Sequence, residues 1–160
     1  MLFKKKVSVE DYCTQNLVPI FSRDREVTWE VLRRACNDNS LSSVDSQLYY
    51  KHLRAVFIQL MSIGVAKNCG LDASIDAAVF VTMYLNKHNL SEIDELSKGY
   101  NQAFASSGTD GVKEMVLIFA DNLSAGNMKP ETIERLYGEF YGILRIFFDD
   151  FKSFKLVSLR

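Results

Sequence analysis

The chain has 160 residues, 48% of them apolar and 24% charged, the balance of an ordinary globular protein rather than a disordered one. That length fits one domain, and a net charge of −1 excludes the broad electropositive footprint that nucleic-acid binding requires. Two prolines and eight glycines leave few interruptions for a many-stranded β fold.

Residues 1–7 read as a flexible N-terminal tip. In it Leu2 and Phe3 precede Lys4, Lys5 and Lys6. This is a weak candidate for touching an anionic membrane, where each lysine contributes about 1 kcal/mol. Position 2 is not the glycine that myristoylation needs, and a frayed terminus is the plainer reading. The opening MLFKKKVSVEDY also lacks the apolar run of a signal peptide. Cys13, Cys36 and Cys69 show neither metal-ligand nor redox spacing, so reduced thiols and a cytoplasmic location are expected.

Ser8, with Asp11 three residues on, caps a short first helix, VEDYCTQNL. Pro19 predicts a break or a fresh start at Val18. From about Ser22 a second helix places Val27, Val31, Leu32 and Ala35 on one face, Trp29 beside them, and Arg33 and Arg34 outward. Asn37, Asp38, Asn39 and Ser40 supply turn chemistry.

A long central helix follows over roughly 43–68. Tyr49, Leu53, Val56, Phe57, Leu60, Ile63 and Gly64 recur at spacings of three and four, with Lys51 and Arg54 opposite. Residues 56–66, VFIQLMSIGVA, are apolar nearly all round, which predicts a buried core helix. The run is roughly half of the ~20 residues that cross a bilayer, so no membrane span is expected. Gly70 suits the left-handed position after a helix end.

The next helix opens at Asp72 or Ser74 and carries Ile75, Ala78, Val79, Met83 and Leu85. Ala77, Phe80, Val81 and Tyr84 widen that face, predicting a largely buried helix that stops near His88 and Asn89. Ser91 and Asp94 then cap the most polar helix, whose narrow stripe is Ile93, Leu96, Tyr100, Ala103 and Phe104 and which ends at Ser106-Ser107-Gly108. A helix from about Asp110 carries MVLIFA and ends near Gly126. Pro130 fits the first turn of the last helix, with Glu131 and Glu134 near its positive end.

On that last helix Ile133, Leu136, Phe140, Ile143, Leu144, Phe147, Phe151 and Phe154 line one wide face, the expected closure of the core. The opposite sector holds Arg135, Gly138, Gly142, Arg145 and Asp149. Each glycine costs about 1 kcal/mol in an exposed helix interior. A close helix contact with a partner or a second copy would use the pair, and these five residues are the candidate interface. Drift, or an intramolecular contact with the N-terminal helices, is the competing reading.

His52 falls near the apolar face of the central helix and reads as buried and hydrogen-bonded, while His88 suits a helix end. Neither has a carboxylate or histidine at metal-binding helical spacing, and no nucleotide fingerprint or nucleophile motif appears. No metal, cofactor or catalytic residue is assigned. The spacings match neither the ferritin-like carboxylate pattern nor the tetratricopeptide period of about 34 residues.

The expected fold is a single all-α domain, an irregular bundle of six to seven helices with a long central helix and an aromatic C-terminal helix. Its core is expected from the helices near 53–66, 75–85 and 112–123. The expected function is protein–protein interaction through a helical surface, by self-association as a homodimer or with one partner protein. Two alternatives stand beside it. One is a binding domain for an apolar or aromatic small molecule between helices, given 11 Phe and 7 Tyr. The other is an enzyme whose site forms only in three dimensions.

Overall fold

The computed structural model describes residues 3–106 and 110–158; Leu2 of the tip and the Ser107-Gly108 helix stop lie outside them. The fold is all-α. The elements run β1 (Lys5–Ser8), α1 (Val9–Ile20), α2 (Arg23–Ala35), α3 (Asn39–Ser42), α4 (Ser46–Lys87), α5 (Ser91–Ser106), α6 (Gly111–Ser124), α7 (Pro130–Ser153) and β2 (Phe154–Val157). Among the described residues no helix is long and apolar enough to cross a membrane.

Local chemistry sets most of the helix ends. Ser8 Oγ accepts from the Asp11 amide at 3.0 Å to open α1, and Ser22 Oγ accepts from Arg25 to open α2. Asp45 Oδ1 accepts from the Gln47 and Leu48 amides and starts α4 at Ser46. Pro130 occupies the first turn of α7. Pro19 does not end α1 at Val18. The helix runs on to Ile20, which is fully buried, so the missing proline donor falls in the last turn.

α4 is the axis of the molecule and packs against α1, α5 and α7. Its first arm is enclosed: every residue from Ala55 to Met61 is buried, as are Ile63, Gly64 and Val65. Gly70 interrupts the helix with φ +83° and ψ 176°, a conformation that only glycine adopts readily. The chain then resumes helix to Lys87 as a second arm. α7 lays Leu136, Phe140, Leu144, Phe147 and Phe151 into the core, and α6 adds Met115, Val116 and Phe119.

Three expectations are corrected. The segment from Lys5 to Val7 is not a flexible tip: β1 pairs in parallel with β2, in register from Lys5 opposite Phe154 to Ser8 opposite Val157. Phe154 accordingly leaves the helix and begins that strand, where its ring lies 5.5 Å from those of Tyr12 and Phe151. Second, α2 faces the other way. Val27 and Val31 are 56% and 63% exposed, while Trp29 and Arg33 are buried. Arg33 turns inward because its charge is fully matched: it pairs with Glu30, donates to Val44 O and Ser46 Oγ at 2.8 Å, and lies over the Tyr49 ring. Arg54 is tucked in on the same principle, bonded to Ile20 O and Glu26 and packed on Phe21. The third concerns the second arm of α4.

Candidate functional site

The second arm of α4 is an amphipathic helix turned inside out. Ala73, Ala77, Val81 and Leu85 follow one another at i+4 and are buried. The bulkier Leu71, Ile75, Val79 and Met83 follow the same spacing on the outside, 75%, 41%, 46% and 66% exposed. The expectation of a largely buried helix therefore fails for Ile75, Ala78, Val79 and Met83, which are exposed. Two alanines bring the arm close to its neighbours, and that inner row exhausts the available packing surface.

Phe80 and Tyr84 are half-buried and form a shoulder beside this strip, opposite Val9 and Glu10 at the start of α1. Between them lies an open groove of about 620 Å³ that extends past Asp76 to Lys87 and His88. From Asp76 to His88 is a helical rise of roughly 18 Å. The His88 ring lies 4.6 Å from that of Tyr84, at the C-cap of α4. Asp76 accepts from the Ser158 hydroxyl, which ties the end of the chain to the rim. Acidic Asp72 and Asp76 thus mark one end of the arm, and basic Lys87 and His88 the other.

The five residues singled out on α7 do lie together. Arg135, Gly138, Gly142, Arg145 and Asp149 are all exposed along its outer side. A Cβ added at Gly138 or Gly142 meets no atom within 4 Å, so among the described residues no intramolecular contact explains these glycines. Asp149 is hydrogen-bonded by Lys152, which with the Arg145 charge holds its carboxyl below the usual range. Tyr141 and Ile146 on the same helix are 52% and 62% exposed.

The tip residues have structural work. Lys4 donates to Phe151 O at 2.6 Å, Lys5 and Lys6 lie in β1, and Phe3 is 93% exposed.

His52 is buried, with Nδ1 2.8 Å from the Tyr100 hydroxyl. Burial, with the Lys51 charge, holds its imidazole below the usual histidine value. Burial also pushes the Cys13 thiol up to about 12, the mark of an inert thiol rather than a nucleophile. Asp150 is raised by burial and accepts from Tyr12 Oη. Among the described residues no three His, Cys, Asp or Glu side chains are grouped to hold a metal ion, and no buried side-chain polar atom lacks a partner.

The exposed strip was missed because the arm carries apolar residues on both sides. One signal was legible: alanines alternate with large aliphatics at a helical period, and small residues go where backbones approach. Comparison with protein families, with curated proteins and with solved structures finds no match.

Proposed function

We propose that the protein acts by protein–protein interaction, docking a partner on the outer face of the second arm of α4. The exposed Leu71, Ile75, Val79 and Met83 strip carries this reading. Contiguous apolar strips on one helix are the usual footprint of helix-to-helix association. The groove beside it is long and open rather than closed, which suits a helix better than a compact ligand. The aromatic residues of the core are packed on one another, as in the Phe119–Phe140 and Phe57–Phe147 edge contacts. That favours a partner over a small molecule held between helices. Three free thiols support a reducing, cytoplasmic setting.

The test is a native mass spectrum of the protein drawn gently from its own host, beside the variant Val79→Glu with Met83→Glu. Added protein mass is expected in the wild type and lost in the variant, whose own stability changes by less than about 1 kcal/mol because both positions are exposed. Added mass that persists in the variant rejects this face. Non-protein mass favours the small-molecule reading.

The α7 face supports a second contact, since its two glycines have open space above them. Gly138→Ala and Gly142→Ala are each expected to raise stability by about 1 kcal/mol, read as a higher urea midpoint. Leucine at both positions is expected to block any close helix approach there. An unchanged solution mass in the folded leucine variant removes this contact.

A further inference from the structure

We propose that the Leu71 to Met83 face pairs with the same face of a second copy of this chain, the two helices antiparallel about a two-fold axis beside Val79. This rests on the interaction reading above and adds the partner and the geometry. The strip amounts to an exposed apolar surface on the order of 400 Å², the scale at which patches on monomers mark interfaces.

The pattern is symmetric about Val79. Ile75 and Met83 lie four residues to either side, Asp72 seven before and Lys87 eight after. At 1.5 Å per residue, both charges stand roughly 10–12 Å from the axis, in opposite directions. At 100° per residue they also fall on the same flank of the strip, about 60° apart. A two-fold axis across antiparallel helices therefore sets each Asp72 against the other copy's Lys87. A parallel pair brings no Asp72 to the height of a Lys87: it leaves each charge level with its own copy across the seam, so the opposite charges never meet. Both side chains are exposed, and neither has an ion-pair partner among the described residues. Such a contact is isologous and closes at two copies. The strip is about half of the ~800 Å² that each partner buries in a standard interface, the small end where weak, transient contacts sit, and a micromolar affinity is expected.

Sedimentation velocity of the full chain, from about 1 to 500 µM, tests this. The wild type is expected to pass from monomer to dimer across that range. Asp72→Lys and Lys87→Asp, each checked for helical content by circular dichroism, are expected to weaken dimerisation at least tenfold. An equimolar mixture of the two variants is expected to restore it, because Lys at 72 then meets Asp at 87 twice. A chain that stays monomeric throughout overturns self-pairing, while the native mass comparison still decides whether another protein uses the face. A dimer indifferent to both reversals but dissolved by Val79→Glu overturns the antiparallel register alone. A dimer that survives Val79→Glu overturns the register and the face together.

Discussion

Asp38→Ala is expected to lower stability by about 3–5 kcal/mol, the largest loss we expect from any polar position, because four donors converge on one buried carboxylate. Oδ1 accepts from the Ser40 amide at 3.0 Å and the Ser40 hydroxyl at 2.7 Å; Oδ2 accepts from the Lys129 amide and the Thr132 hydroxyl, both at 2.8 Å. The residue is 3% exposed and ties the start of α3 to the start of α7. Burial alone raises its pKa, but the Lys129, Ser40 and Thr132 hydrogen bonds outweigh it and bring the carboxyl down to about 2 from 3.8. A depressed carboxylate adds stability that is complete above the unfolded value. It is lost as pH falls through the folded one, so the window runs from about pH 4 down to 2. The contribution at stake is about 2 kcal/mol. Asp38→Asn keeps the shape and the Ser40 bonds but turns an amide donor toward Lys129 and Thr132, and is expected to cost about 2–3 kcal/mol at pH 7. Urea melts of wild type and Asp38→Asn, repeated at pH 7 and pH 2.5, check this. The gap between them narrows in acid. A gap that stays constant means Asp38 is not the group that titrates.

The same residue marks where the sequence stops being informative. The turn at Asn37 to Ser40 was legible, because asparagine and aspartate chemistry is local and Asn37 does adopt φ +47°. Its attachment to Lys129 and Thr132 was not, since no periodicity records a bond between residues 91 and 94 positions apart. The β1–β2 pair failed on the same ground: four-residue segments at opposite ends of the chain leave no signal until they meet. Helix ends at Ser8, Ser22, Gly70 and Pro130 were readable because capping and backbone constraints act within a turn. Facing was readable only where one side was clearly apolar, as on α7. In α2 the inward Arg33 inverted it, and hydropathy cannot register a guanidinium whose charge is matched, as Arg33 is by Glu30 and Arg54 of α4 is by Glu26. On the second arm of α4 both faces were apolar, and only the run of alanines distinguished the one that packs. The candidate residues on α7 share an exposed face as expected, but sequence spacing alone could not show that the space above their glycines is empty.

Gly64→Ala is expected to destabilise by about 2 kcal/mol, and Gly64→Leu by more than about 3, although alanine is the better helix former by about 1 kcal/mol. The reason is the crossing of α4 and α7. A Cβ built at Gly64 falls 2.8 Å from the Phe147 Cβ and 3.6 Å from its Cγ. The obstructing atom is the Phe147 Cβ, whose place is fixed by the α7 backbone whatever the ring does, so the two helices must part. Parting them loosens the Phe57–Phe147 edge contact at 5.2 Å, in the most enclosed part of the molecule. Truncating the ring offers no relief: Phe147→Leu keeps its Cβ, so the double variant is expected to be less stable than either single one. Thermal melts of Gly64→Ala, Phe147→Leu and the variant carrying both test this, and recovery in the double variant contradicts a backbone-limited crossing. The contrast with α7 sharpens the test. Glycine to alanine is stabilising at 138 and 142, where nothing stands above the helix, and destabilising at 64, where another helix does. One substitution with opposite signs at three glycines separates a close approach already made within the fold from a surface still open to a partner.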